Sequence, residues 1–194
     1  MITTILRFKS LSINPNNYHH KHFFCFILNF SAMTHHLYII RHAQTHSSQY
    51  YNSDKERELK PEGMVEATQL GKFLKANNYN ADLIISSHAE RAKATAQRVA
   101  AEINYPVTQI HFEEKIYSGA MNDLLTLIQQ TPDSIQRLLL IGHYPTIVEL
   151  NNYLSDSQKM SMETCELTLL NFNAGWSEIF EGSGELILNY HPSY

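Results

Sequence analysis

The chain has 194 residues, 43% of them apolar and 18% charged, the profile of an ordinary globule of one domain, or one domain with a tail. Its net charge of −4 hides an asymmetry: Arg7, Lys9 and Lys21 are the only charged residues before Met33, and the rest carries −7, too acidic for a general nucleic-acid binder. Cys25 and Cys165 have no CxxC or CxxH context, which argues against a disulfide framework or a structural zinc and makes a reducing, cytoplasmic setting the simpler expectation.

The apolar run FFCFILNF near the start is eight residues long, far short of the ~20 needed to span a bilayer. A secretory signal is the alternative, but Phe30 stands where cleavage after Ala32 would need a small residue. Residues 1–33 are therefore expected to be a disordered extension, and residues 34–194 the folded domain.

From there strands alternate with helices. LYII, residues 37–40, reads as a buried strand with Arg41 and His42 at its tip. A polar stretch follows, carrying the cluster Asp54, Lys55, Glu56, Arg57 and Glu58; it reads as a loop in which Arg57, on spacing alone, is solvated. Pro61 suits a first helical turn, and Met64, Ala67, Leu70, Gly71 and Leu74 form a helical stripe. DLIISS, residues 82–87, is a second buried strand. Ala92, Thr95, Ala96, Val99, Ala100 and Ile103 then mark the clearest amphipathic helix, with Arg91 in its first turn.

Pro106 opens a third expected strand over about 107–112, which delivers Glu113 and Glu114. A helix over 121–130 stops at Pro132. The fourth strand, 137–141, ends at Gly142 and His143, and a helix over 146–154 follows. Residues 166–173, 176–180 and 185–190 read as three further strands joined by turns.

Successive βα units imply an α/β three-layer sandwich: a mostly parallel central sheet, helices on both faces and C-terminal strands. Ligands bind such sheets at the carboxyl ends of the strands, where Arg41, His42, Ser87, Arg91, Glu113, Glu114, Gly142 and His143 all fall. A neutral imidazole attacks phosphorus without first losing a proton, provided its partners hold the phosphate and cancel its charge. Arg41 and Arg91 are candidate clamps, since a guanidinium matches phosphate oxygens bidentately. Arg91 shares a helix N-terminus that itself favours an anion.

Gly142 would let the backbone approach a ligand closely. His143 reads either as a second phosphate ligand or as a core histidine satisfied by a carbonyl. Glu113 or Glu114 is the candidate general acid, its pKa raised by a neighbouring phosphate; a phosphoramidate leaving group needs such an acid less. Metal-dependent hydrolysis through His42, His143 and Glu114, and a non-catalytic phosphate-binding module, are the competing readings.

RHAQT (residues 41–45), SSHAERAKATA (86–96) and GHYP (142–145), in this order and at strand ends, resemble the histidine phosphatase superfamily, also called phosphoglycerate mutase-like. The resemblance runs over about 37–190. It implies a phosphoglycerate mutase-like fold, a phosphorylated nucleophile at His42, a pocket completed by Arg41, Arg91 and His143, and no metal or other cofactor. The short chain, RHA in place of RHG, RELKPEG (57–63) and EEKIYSG (113–119) resemble the SixA-type phosphohistidine phosphatases, a match that makes Arg57 a pocket residue.

Two positions depart from the family pattern: Ala43 replaces glycine and His88 replaces proline. Glu114 looks like the acid of the mutase-like branch, whereas SixA-type enzymes lack a clear equivalent. The implied function is a metal-independent phosphatase acting through phosphorylated His42 on protein phosphohistidine. The alternative is a small-molecule phosphomonoester phosphatase or a phosphoglycerate mutase-like enzyme. Partners are expected to be phosphorylated substrates, with neither nucleic acid nor membrane, and Ser87 and Gly142 join Arg57 as expected substrate contacts.

Overall fold

A computed structural model describes residues 34–193 of the chain; the expectation of a disordered extension over 1–33 lies outside the described residues. In chain order the elements are β1 (His35–Arg41), α1 (Pro61–Ala76), β2 (Leu83–Ser87), α2 (Glu90–Glu102), β3 (His111–Glu113), α3 (Lys115–Ser118), α4 (Met121–Gln129), β4 (Arg137–Gly142), α5 (Thr146–Ser155), β5 (Leu167–Phe172) and β6 (Glu185–Tyr190). The strands form one sheet in the order β3-β2-β4-β1-β5-β6. β1 to β4 run parallel, β5 is antiparallel to β1, and β6 is antiparallel to β5.

The unbroken apolar runs of β1 and β4 follow from their central position, because a strand covered on both faces has no polar side to show. Successive side chains point to opposite faces. Leu37 and Ile39 accordingly join Leu138, Leu140 and Leu170 against Leu124, Ile128, Ile147 and Leu150 of α4 and α5. Tyr38 and Ile40 join Leu139, Ile141 and Leu167 against Leu70, Leu74, Ala96 and Val99 of α1 and α2. Each of the leucine, isoleucine and valine side chains among them contributes on the order of 1.5–3 kcal/mol by leaving water. The mostly parallel α/β sandwich expected from the alternation is therefore the fold. Among the described residues, no helix is long and apolar enough to cross a membrane.

Two expected strands are corrected. Residues 107–109 form a 3-10 turn capped by Pro106, and the strand proper is only His111–Glu113. Val107 is exposed, and only Ile110 of this stretch is anchored in the core, so an edge position leaves little to hold a longer strand. The second is residues 176–178, another 3-10 turn. Trp176 is fully buried; its indole N–H donates to the Ile135 carbonyl at 2.6 Å and its backbone N–H to Asp133 Oδ1 at 2.8 Å, bonds that lead the backbone out of the sheet. The one-turn α3 was not foreseen by periodicity either.

What matters for function is the shared polarity of the four parallel strands. Their carboxyl ends, Arg41, Ser87, Glu113 and Gly142, all emerge on one edge of the sheet.

Candidate active site

His42 is the first residue beyond β1, and its backbone N–H donates to the Gly142 carbonyl at 3.1 Å, which holds it against the tip of β4. Its Nδ1 lies 2.8 Å from the Ala43 carbonyl. A carbonyl only accepts, so Nδ1 carries the proton and Nε2 keeps its lone pair. Nε2 in turn accepts from Nε of Arg91 at 3.2 Å. The residue is 8% exposed. Burial, then the neighbouring His143 and the cations Arg91 and Arg41, hold its pKa well below the ordinary histidine value against the opposing Ala43 bond. His42 is thus a neutral imidazole with its proton at one defined nitrogen.

The ring of His143 lies 5.0 Å from that of His42, centroid to centroid. Nε2 of His143 is 2.8 Å from Ser87 Oγ, and the same oxygen accepts from the Ala89 backbone N–H at 3.2 Å. Nδ1 is buried with no protein partner. Burial, followed by the charge of Arg91, lowers this imidazole's pKa to about 3. Arg41 donates from Nη1 to the Met162 carbonyl at 2.6 Å and lies over the Tyr144 ring at 5.7 Å. Its Nε is likewise buried without a protein partner.

Arg91, in the first turn of α2 and 5% exposed, also gives Nη1 to the Asp54 carbonyl at 2.6 Å and Nη2 to Asp54 Oδ2 at 2.8 Å. Asp54, which the sequence places only in a charged loop, is thus a residue of this cluster. Its carboxylate also accepts from Arg57 Nη1 at 2.8 Å and from the Tyr117 hydroxyl at 3.0 Å. Burial would raise its pKa, but these bonds from Arg57, Arg91 and Tyr117 and the charge of Arg91 bring it down to about 2. Arg57 is correspondingly tied in: Nε donates to the His46 carbonyl at 3.1 Å and Nη2 to the Thr45 hydroxyl. The signal available in the sequence was the D-x-x-R spacing and the tyrosine of EEKIYSG.

The remaining candidates lie further out or do something else. Glu114 is exposed at the rim, 2.9 Å from Lys55 Nζ and 3.0 Å from His88 Nε2. The hydrogen bond from Lys55 is the main cause that lowers its pKa, the opposite direction to that expected of a protonated acid beside phosphate. Glu113 ends β3, in register with Ser87. Gly142 is a strand residue whose missing Cβ makes room for α5, since a Cβ there would stand 2.5 Å from Ile147 Cγ2. Its small size thus serves packing and its carbonyl holds His42. Tyr117 lies between the rim and the pocket, its ring 5.5 Å from that of His143 and 5.0 Å from Lys55 Nζ. Among the described residues, no group of three or more His, Cys, Asp or Glu side chains is placed to hold a metal ion.

Comparison with known proteins agrees with this architecture. The sequence profile of the histidine phosphatase superfamily (branch 1) matches residues 37–139. An uncharacterized chloroplastic protein of Arabidopsis thaliana is 27% identical over 164 residues, covering 79% of this chain and 74% of that protein. An uncharacterized protein of Mycobacterium tuberculosis is 26% identical over 145 residues, covering 70% of this chain and 89% of its own.

Among solved structures, a Nakamurella multipartitia protein assigned to the phosphohistidine phosphatase SixA superposes with a TM-score of 0.70 at 23% identity, over 83% of this chain and 98% of that one. The protein histidine phosphatase SixA in complex with tungstate superposes with a TM-score of 0.70 at 20% identity, over 80% and 96%. A mycobacterial glucosyl-3-phosphoglycerate phosphatase reaches 0.60 at 14% identity, over 82% and 100%. The chain belongs to the histidine phosphatase superfamily and shares the fold of its SixA-type phosphatases.

Proposed function

We propose that this chain is a phosphatase that moves a phosphoryl group from a phosphorylated substrate, protein phosphohistidine foremost, to Nε2 of His42 and then to water. The observation that carries the reading is one juxtaposition: a neutral, buried imidazole with its lone pair on Nε2, Arg91 at 3.2 Å from that nitrogen, and the ring of His143 at 5.0 Å. In the first step the bond between phosphorus and Nε2 forms as the bond to the leaving group breaks, and the leaving group takes up a proton. In the second, water attacks phosphorus and the P–N bond to His42 breaks.

Transfer of this kind is mostly a matter of position and charge. Arg41 and Arg91 supply the positive charge, and the buried Nε of Arg41 and Nδ1 of His143 lack protein partners. Buried polar atoms of that kind are costly to leave unpaired, and phosphoryl oxygens would satisfy both.

Phosphohistidine is favoured over phosphomonoesters by the state of Glu114. An alkoxide leaving group calls for a strong acid, and Glu114 is held ionised by Lys55 and His88 at an exposed rim. The weak P–N bond of a phosphoramidate places less demand on such a group. The SixA-type structural neighbours lend support at the level of fold.

The test is incubation with a labelled phosphohistidine protein, followed by mapping of acid-labile label. Label on His42, absent in His42→Ala, supports the mechanism, and label on any other residue overturns it. A kcat/KM for p-nitrophenyl phosphate or 3-phosphoglycerate above that for the phosphohistidine protein would overturn the substrate assignment, and loss of activity to a chelator would overturn the metal-independent route.

A further inference from the structure

Glu66 lies in the second turn of α1 and is 1% exposed, yet it takes no part in the mechanism above. Its Oε2 accepts from the backbone N–H of Gln44 at 2.9 Å, and its Oε1 from the Gln44 side-chain amide at 2.5 Å. Thr164 Oγ1 also donates to Oε1, at 3.4 Å. The peptide unit whose N–H reaches Glu66 is the one between Ala43 and Gln44. Its other end, the Ala43 carbonyl, is the acceptor of His42 Nδ1–H at 2.8 Å. One peptide group therefore stands between a buried carboxylate and the imidazole, with a hydrogen bond at each end.

We propose that Glu66 is a positioning residue for His42, acting through the Ala43–Gln44 peptide; this rests on the assignment of His42 as the nucleophile. A carboxylate that accepts from the amide N–H polarises the peptide and makes its carbonyl a stronger acceptor, because hydrogen bonds in a chain reinforce one another at low dielectric. The stronger acceptor holds the proton on Nδ1, keeps the ring at one angle and leaves electron density at Nε2. The arrangement does for this imidazole what a buried carboxylate does directly in a Ser-His-Asp triad, with a peptide interposed.

The surroundings fix the same peptide from other sides. The Ala43 N–H donates to Thr95 Oγ1 at 3.0 Å. The Gln44 carbonyl accepts from the Lys60 N–H at 3.0 Å. Gly63 lies so close that a Cβ on it would stand 2.2 Å from the Gln44 oxygen.

The experiment compares wild type with Glu66→Gln and Glu66→Ala by 15N NMR of the His42 imidazole in the resting protein and by single-turnover phosphorylation of His42. Glu66→Gln can still accept from the Gln44 N–H while Gln44 turns its amide to pair with it, so it is the conservative variant that partly rescues. The wild type is expected to show the proton on Nδ1, Glu66→Gln to keep it there, and Glu66→Ala to show a mixture of tautomers. The phosphorylation rate should fall about 10-fold in Glu66→Gln and about 100-fold in Glu66→Ala, with KM changed less than about threefold, in the range measured for outer partners of a functional histidine.

Wild-type tautomer and rate in both variants would overturn the proposal. So would a loss of rate in Glu66→Ala with the wild-type tautomer retained, which is what a merely structural role produces. If Glu66→Ala does not fold, Glu66→Gln decides alone: a rate about 10-fold lower together with an Nδ1 resonance shifted by the weaker Ala43 acceptor supports the proposal, and a wild-type rate or an unmoved Nδ1 resonance overturns it. Absence of label on His42 in the wild type refutes the nucleophile assignment instead, and the NMR comparison, which needs no turnover, tells the two failures apart.

Discussion

Asp54 and Arg91 show how tightly charge is arranged at single residues around the pocket. All three nitrogens of the Arg91 guanidinium are committed, one to His42 and two to Asp54, so a lysine there would keep the charge and lose the fork. Arg91→Lys is expected to lower kcat about 100-fold, the scale seen when one charge-stabilising donor is removed, with little change in melting temperature. Asp54 has the opposite effect on a ligand, because its carboxylate competes with an incoming oxyanion for Arg91 and Arg57. Its side chain is 42% exposed, so solvent screens the repulsion to about 1 kcal/mol. Asp54→Asn should therefore bind inorganic phosphate or tungstate about 3- to 10-fold more tightly in a competitive inhibition assay, and weaker inhibition would refute the argument.

At the scale of elements, α1 is held against the loop that follows His42 with no space between them. Gly63 lies in its first turn, and a Cβ there would meet the Gln44 carbonyl oxygen at 2.2 Å and its carbonyl carbon at 2.9 Å, all backbone that cannot turn aside. Alanine in a helix is ordinarily worth about 1 kcal/mol over glycine, but a clash of this kind costs about 1–3 kcal/mol and decides the sign. Gly63→Ala should lower the melting temperature by several degrees and reduce activity even in the folded protein, since the displaced peptide is the one that holds His42. Gly71→Ala is the control. Its Cβ would meet Glu102 Cβ at 2.6 Å and Val99 Cα at 3.2 Å where α1 crosses α2, so it should lose stability and retain kcat.

Elements also show what could be read from the sequence. Periodicity placed the helices of residues 61–76 and 90–102 to within a residue or two, because each buries a stripe along its whole length. It failed at residues 107–109 and 176–178, where Pro106 and the Asp133 and Ile135 bonds to Trp176 outweigh strand-like composition. Strand-end order anticipated that Arg41, His42, Arg91 and His143 lie together, since the chain itself carries them to one edge. Glu66 was not legible, and Asp54 and Tyr117 showed only as the D-x-x-R spacing and the tyrosine of EEKIYSG. Their contacts with Gln44, Arg91 and each other run across 22 to 63 residues of sequence, which such local signals do not encode.

Across the whole molecule, keeping two imidazoles neutral and buried ties stability to pH. In the unfolded chain each histidine titrates near 6.5, whereas folding lowers His143 to about 3 and His42 well below its ordinary value. Above pH 6.5 both are neutral in either state and cost nothing. As pH falls below 6.5 the unfolded chain binds protons that the folded chain refuses, so stability declines through the window from 6.5 toward 3. For His143 alone the fall from pH 6.5 to 5 amounts to about 2 kcal/mol, and His42 adds to it in the same direction.

Asp54, lowered from 3.8 to about 2, contributes stability that is lost only below pH 3.8, so it leaves the upper window to the histidines. Urea unfolding at pH 7.5, 6 and 5 should show the midpoint moving steadily down, and His143→Gln should flatten part of that slope whatever it does to the absolute stability. A midpoint independent of pH over this range would mean that both rings take up a proton in the folded protein. His42, the proposed nucleophile, would then lack the lone pair on Nε2 that attack on phosphorus requires.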